Sequence, residues 1–256
     1  MRRLVSAIPL CVLLAFALPS FAGTEQSGAC DAPEEFVRTD EPFGRLAAAI
    51  AAGGAVDILA VGSATTVGSV TANTPGATQG GAFPWRMVHA LHTQVPTVDF
   101  RLTVRGGRGM TAEDMLPLIQ AALKQQHYPL VLWQTGTVEA VRGLQPDGLL
   151  DVLHTGAEAV RAAGGDLVLI DPQFSRFLRA NTDLDPYENV MQQVATMPGV
   201  ALFRRFDLMR SWANDGRVDL ERAPKADRDK ALEQLNTCLG KALAQFVLSG
   251  ADVGRK

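Results

Sequence analysis

The amino-acid sequence predicts an α/β fold, a three-layer α/β/α sandwich with a central parallel sheet of about five strands. Short apolar runs of the kind that form buried parallel strands recur along the chain, and segments with helical spacing separate them. The apolar runs are residues 56–61, 98–104, 130–134, 167–170 and 200–203. Strands that alternate with helices in this way form a parallel sheet with helices on both faces.

The helical segments carry several of their own boundary signals. Glycine pairs at Gly53-Gly54 and Gly164-Gly165 follow two of them and favour helix ends there. Thr111 and Asp114, three residues apart, form a capping box at the start of a third. The predicted helices are residues 42–53, 84–95, 112–126, 147–163, 186–197 and 227–248.

The N-terminal residues predict export from the cytoplasm. Arg2 and Arg3 precede an apolar run over residues 4–18, and small residues lead up to Ala22, where cleavage of a secretory signal peptide is expected. The run is shorter than the ~20 residues of a spanning helix, although an uncleaved membrane anchor is the alternative. No later stretch is long and apolar enough to span a bilayer. We expect a periplasmic or fully secreted chain with a signal peptide, a polar tether and one domain: residues 1–22, 23–41 and 42–250.

Charge and motif content exclude several classes of partner. The net charge of −3 argues against nucleic acid, which requires a basic surface. The pair Arg204-Arg205 is interpreted as a solvated turn rather than a phosphate clamp. The glycines from Gly62 to Gly68 lack the Gly-Lys-Ser/Thr ending of a P-loop, so no cofactor is predicted. His89 and His92 have metal-compatible spacing but no Cys, Asp or Glu beside them, so no metal site is predicted.

Two cysteines remain after removal of the leader, which contains Cys11. An even number in an oxidising compartment favours one disulfide, between Cys30 and Cys238. The alternative is two free thiols, with Cys238 buried in a helix face.

Three segments follow predicted strands directly: residues 59–66, 105–116 and 133–140. Together they resemble the SGNH/GDSL hydrolase family. Residues 59–66 resemble its first block, a strand followed by Gly-Asp-Ser-x-Thr or Gly-Ser-Ser-x-Thr. Residues 105–116 resemble the glycine-rich second block, and residues 133–140 resemble the third, usually Gly-Thr-Asn-Asp or Gly-Thr-Asn-Ala. Residues 202–210 are similar to a stretch in an exported bacterial branch of the family, so the resemblance covers most of residues 56–247.

The resemblance implies a serine esterase site from which several groups are missing. In the family the third residue of the first block is the nucleophile, and here it is Ala64. The oxyanion asparagine of the third block is replaced by Val138. The Asp-x-x-His pair that precedes the last helix is absent, since residues 219–229 contain no histidine. The implied pocket and oxyanion residues are Gly62, Ser63, Ala64, Gly109, Gly136, Thr137 and Val138.

Three functions are compatible with this pattern. The first is a catalytically impaired SGNH-like protein whose cleft binds an acylated, ester or carbohydrate-like ligand or a protein partner. The second is an active esterase with a different nucleophile, for which Ser63 is a weak candidate because a one-residue shift turns its side chain away from the oxyanion donors. The third is a periplasmic assembly protein without enzymatic activity. Asp219 is interpreted as a solvated loop acid rather than a relic of the missing pair, and residues 171–173 as either a rim of the site or a cap.

Overall fold

A computed structural model describes residues 28–68 and 81–253, and the predicted signal peptide lies outside them. Its sheet has five parallel strands in the order β2-β1-β3-β4-β5. The strands are β1 (Gly54–Gly62), β2 (Val98–Gly106), β3 (Leu130–Gln134), β4 (Asp166–Ile170) and β5 (Val200–Phe203). All five predicted strands are confirmed, and with them the fold class.

Eleven helices lie within the described residues. Six of them coincide with the predicted helices to within a few residues, and the capping box of Thr111 and Asp114 is present at the third of these. The other five, of which the longest has ten residues, were not predicted from the sequence. The full set is α1 (Glu34–Val37), α2 (Gly44–Ala52), α3 (Ala64–Val67), α4 (Phe83–Gln94), α5 (Ala112–Gln125), α6 (Thr137–Arg142), α7 (Pro146–Ala162), α8 (Arg176–Asn181), α9 (Asp185–Val194), α10 (Arg205–Asn214) and α11 (Arg228–Gly250).

Apolar side chains bury both faces of the sheet. Ile58 and Ala60 of β1 pack into a core formed with α2, α4, α10 and α11. Leu59 and Val61 point to the other face, where α5, α7 and α9 form the second core with the buried Trp133. This alternation follows from the two-residue period of a strand. Because both faces are covered, the strands are apolar along most of their length.

The described part of the predicted tether, residues 28–41, lies against the domain. Cys30 forms a disulfide with Cys238 of α11, which confirms that prediction. Phe36 of α1 is buried, and the indole of Trp212 donates a hydrogen bond of 2.8 Å to the carbonyl oxygen of Asp31. The segment therefore contributes to the core of the helical layer that contains α11. No helix in residues 28–68 or 81–253 is long and apolar enough to cross a membrane.

The strand order places a topological switch point between β1 and β3. The chain moves from β1 to β2 on one side and then returns to β3 on the other side of β1. In open parallel sheets ligands bind beyond the carboxyl ends of the strands at such a point. The loops after Gly62 and Gln134 meet there.

Candidate functional site

Gln134, the last residue of β3, connects the carboxyl ends of β1 and β3. Its side chain is buried, and its Oε1 lies 2.9 Å from the hydroxyl of Ser63 and 3.1 Å from the backbone nitrogen of the same residue. The hydroxyls of Thr65 and Thr66 lie 3.2 and 3.0 Å from the same oxygen. An amide oxygen has two lone pairs, so these donors share one acceptor. The contacts fix the start of α3 against β3.

Glycines allow the first two loops to approach each other closely. Gly106 has φ of +119°, and a Cβ atom there would lie 2.0 Å from the carbonyl oxygen of Gly62. The same oxygen accepts a hydrogen bond from the Gly107 amide at 3.2 Å. A side chain at residue 106 would therefore force the ends of β1 and β2 apart.

A buried carboxylate that sequence reasoning did not single out holds the third block. Oε2 of Glu139 accepts from the Gly136 amide at 2.9 Å, and Oε1 accepts from the Thr135 hydroxyl at 2.8 Å. Oε1 also accepts from the Ala112 amide at the start of α5. Gly136 has φ of +90°, which favours glycine at that turn. Glu139 thus joins the loop after β3 to the helix that follows β2.

The groups implied by the family resemblance lie at this same edge of the sheet. Ala64 is the exposed first residue of α3, Thr137 and Val138 are half-buried at the start of α6, and Gly109 lies in the turn after β2 with its carbonyl accepting from Arg142 at 2.9 Å. The backbone amides of Ala64 and Gly109 donate no hydrogen bond to any residue in the described ranges. These two amides are thus left unpaired within the described residues, and the side chains of Ala64 and Val138 offer no polar group.

The histidine rings lie elsewhere. Nε2 of His92 is 3.0 Å from the carbonyl oxygen of Phe100, near the start of β2, and Nε2 of His127 is 3.3 Å from that of Gly164, just before β4. His89 is exposed on α4 and His154 is half-buried on α7. Within residues 28–68 and 81–253, no histidine ring shares a hydrogen bond with a hydroxyl. None of the four rings is thus placed to take a proton from the loop after β1.

A cavity of about 280 Å³ opens beside Thr65. The loop that precedes α11, where the family carries its Asp-x-x-His pair, forms part of its wall through Asp219, Leu220 and Glu221. Asp219 accepts two hydrogen bonds from the guanidinium of Arg176, at 2.9 and 3.0 Å. Burial opposes ionisation of Asp219, but these bonds outweigh it and hold its pKa below the usual value. The interpretation of Asp219 as a solvated loop acid is wrong, because it is a half-buried member of an ion pair with Arg176.

Arg205 is buried, so the interpretation of Arg204-Arg205 as a solvated turn is wrong for its second residue. Nε donates to the carbonyl oxygen of Asp171 at 3.1 Å, and Nη1 donates to the hydroxyl of Thr65 at 3.3 Å. The guanidinium lies over the ring of Phe83, 5.7 Å from its centroid. Nη2 is buried and has no hydrogen-bond partner in the part of the chain that the structure describes. These contacts span three segments and cannot be recognised from an arginine pair in the sequence.

Asp171 caps the helix that contains Arg205. Its Oδ1 accepts from the Phe206 amide at 2.9 Å, so the cap predicted as one alternative for this segment is present. Gln173 lines the cavity, so the other alternative, a rim position, also holds. Burial raises the pKa of Asp171 to about 8, and burial lowers the pKa of Arg205 to about 10. Asp171 is therefore mostly uncharged at neutral pH, while Arg205 remains charged.

The match to a family model decides the family of this chain. Residues 29–253 match the model of the Non-GDSL lipase-like family. The chain belongs to the Non-GDSL lipase-like family. No curated protein matches its sequence.

Several solved structures share the fold of this Non-GDSL lipase-like chain. A catalytic mutant of Axe2, an acetylxylan esterase from Geobacillus stearothermophilus, is 15% identical with a TM-score of 0.58 over 78% of this chain and 95% of that one. TesA is 20% identical with a TM-score of 0.53, and the match covers 73% of this chain and 99% of TesA. A two-domain esterase active on acetylated mannans is 13% identical with a TM-score of 0.56, and the match covers 80% of this chain and 54% of that one. At these identities the likeness shows the fold, which is that of SGNH/GDSL hydrolases.

Proposed function

We propose that this protein is an exported ligand-binding member of its family that no longer hydrolyses esters. The observation that carries the proposal is the methyl group of Ala64 at the position where the resemblance implies a nucleophilic serine. Acyl transfer by a serine requires a hydroxyl, a base to take its proton and donors for the developing oxyanion. Here only backbone donors remain, at Ala64 and Gly109.

Ser63 does not substitute for the missing serine in this proposal. Its hydroxyl donates to the amide oxygen of Gln134, at 2.9 Å. A general base must accept a proton near neutral pH, as histidine or a carboxylate does, and an amide oxygen does not. The hydroxyl is therefore held in place without being activated.

The ligand class follows from the family and from the fold. The family is lipase-like, and two of the structural neighbours are named for activity on acetylated polysaccharides. A cavity lies at the carboxyl ends of the strands and is lined by Thr65 after β1, Gln173 after β4 and Arg205 after β5. The implied pocket residues do not line it, but ligands of parallel α/β folds bind beyond this edge of the sheet. An acylated, ester or carbohydrate-like ligand, or a protein partner, is the occupant that these observations favour.

Hydrolysis assays test the proposal. The mature protein, from residue 23, and its Ser63→Ala variant are compared on p-nitrophenyl acetate and on acetylated sugars. We expect both proteins to give the rate of buffer alone, within about threefold, because the nucleophile, the base and an oxyanion donor are all missing. Turnover that disappears in Ser63→Ala would contradict the proposal and favour an active esterase.

Export is tested on the full chain. Expression with the native leader, followed by N-terminal sequencing of the released protein, is expected to show a chain that starts at Gly23. A chain that retains Met1 and stays with the membrane would contradict this part of the proposal.

A further inference from the structure

The cavity beside Thr65 has an apolar wall. Its volume, about 280 Å³, is close to the lower end for small-molecule sites. Side chains from the loop after β4 and from α4, α10 and α11 supply most of the surface. The main apolar members are Phe83, Phe174, Met209, Val218, Leu235 and Leu239. Such a wall favours a hydrocarbon chain or ring over a sugar, which would need many hydrogen-bonding partners.

Three charged side chains line the cavity, Arg205, Asp219 and Glu221, and Arg205 lies among the apolar members of the wall. Arg205 is only 1% exposed, yet its Nη2 has no acceptor among the described residues. Buried donors without an acceptor are rare, because a donor taken from water without compensation is costly. The guanidinium also lies against the ring of Phe83, which orients it without accepting a conventional hydrogen bond. Nη2 of Arg205, a residue that lines the cavity, is therefore a buried donor that lacks an acceptor.

The acidic side chains around the cavity do not supply an acceptor for Arg205. Asp219 and Glu221 form ion pairs with Arg176, at 2.9 and 3.3 Å, and no ion pair among the described residues includes Arg205. Asp171 contacts Arg205 through its backbone carbonyl, while its carboxyl oxygen accepts from the Phe206 amide. Among the described residues, no carboxylate oxygen therefore lies at hydrogen-bond distance from the guanidinium of Arg205.

We infer that this cavity binds a compact monocarboxylate with an apolar tail, whose carboxylate pairs with the guanidinium of Arg205 while the tail occupies the apolar wall. A carboxylate supplies the acceptor that Nη2 lacks, and charge-assisted bonds from a guanidinium to a carboxylate are the strong kind. The inference rests on the proposed function, since it names the ligand class of a site that binds without hydrolysing. Medium-chain alkanoates have the required head and tail.

Calorimetric titration of the mature protein with octanoate tests the inference, with octanamide as the uncharged compound of equal length. Octanoate is expected to bind at least about tenfold more tightly than octanamide, because only the carboxylate forms charge-assisted bonds with Arg205. Arg205→Gln is expected to lower the affinity for octanoate by at least about tenfold and to change the affinity for octanamide by less than about threefold. Equal affinity for the two compounds, or no binding of octanoate, would overturn the inference.

A matched pair of variants at the cavity mouth keeps the test decisive if Arg205→Gln does not fold. Leu232 lines the cavity and is 43% exposed on α11, so a charged side chain there can reach water. Leu232→Glu is expected to lower the affinity for octanoate severalfold, because the negative charge of the new side chain repels the carboxylate. Leu232→Lys is expected to cause no such loss. Octanamide should respond equally to both substitutions. An identical effect of Glu and Lys on octanoate would contradict the inference.

The hydrolysis assay separates failure of this inference from failure of the proposed function. If octanoate does not bind and the protein still does not turn over p-nitrophenyl acetate, only the ligand class is wrong. If turnover is present and depends on Ser63, the proposed function is wrong whatever octanoate does.

Discussion

The hydroxyl of Ser63 lies 2.9 Å from Oε1 of Gln134 and has no histidine ring as a partner among the described residues. The relationship has two consequences. It ties the loop after β1 to the end of β3, and it leaves the serine nearest the nucleophile position without a base. In the proposed function, the loop after β1 keeps the backbone of an esterase site while its hydroxyls serve in structural hydrogen bonds.

Restoring the hydroxyl at the nucleophile position should not restore activity. Ala64→Ser adds the group that the resemblance implies, but no described histidine ring lies at the loop after β1, and Val138 still stands where the resemblance implies an oxyanion asparagine. We expect hydrolysis of p-nitrophenyl acetate to stay within about threefold of that of the unchanged protein. A rise of about a hundredfold or more would show that a base is present after all.

Loss of the Gln134 amide should destabilise the fold. Gln134→Leu removes the acceptor shared by the hydroxyls of Ser63, Thr65 and Thr66, of which Thr66 is buried. We expect the free energy of unfolding to fall by about 2–4 kcal/mol, because several donors lose their partner. Urea denaturation measures the change.

Thr66→Val is the matched control for this substitution. It removes a single donor with little change of shape, and about 1 kcal/mol is expected. Equal losses for the two variants would show that the shared acceptor is unimportant.

Asp171 should make stability depend on pH. Its pKa rises from 3.8 to about 8 on folding, since burial disfavours the charged form. The folded protein therefore holds a proton that the unfolded chain has released, and stability is expected to fall as pH rises from about 4 to 8. The slope reaches about 1.4 kcal/mol per pH unit.

Asp171→Asn removes this contribution while its side-chain oxygen can still cap Phe206. Urea denaturation of both proteins over this pH range measures the difference. If the free energy of unfolding changed with pH by the same amount in the two proteins, the raised pKa of Asp171 would be contradicted.

Gly106 should tolerate no side chain. Gly106→Ala places a Cβ atom 2.0 Å from the carbonyl oxygen of Gly62, in addition to the strain of φ +119°. We expect a loss of about 3 kcal/mol or more, or failure to fold. Gly143→Ala is the control, since Gly143 also has positive φ, +62°, but has open space around it, and about 1 kcal/mol is expected. Similar losses in urea denaturation would indicate that only backbone strain matters.

The sequence predicted the parts of this fold that depend on local chemistry. The strand from Leu130 to Gln134 was predicted with its observed bounds, because an unbroken apolar run specifies a buried parallel strand. The capping box of Thr111 and Asp114 was predicted because its two residues are three positions apart.

Contacts between distant segments were not predictable in the same way. Gln134 is 71 residues from Ser63, and Arg205 is 140 residues from Thr65. These pairs meet only because β1 lies between β2 and β3 and α10 returns to the same edge of the sheet. The buried charge of Arg205 was missed for this reason, since an arginine pair usually lies in water.

Labelling with a fluorophosphonate probe, followed by peptide mass spectrometry, tests the central claim most directly. The probe forms a covalent bond only with a serine that a base activates. We predict no labelled serine in the mature protein, with an active serine esterase labelled in parallel as a positive control. A phosphonylated Ser63 whose labelling disappears in Ser63→Ala, or one labelled serine elsewhere at the edge of the sheet, would contradict the claim.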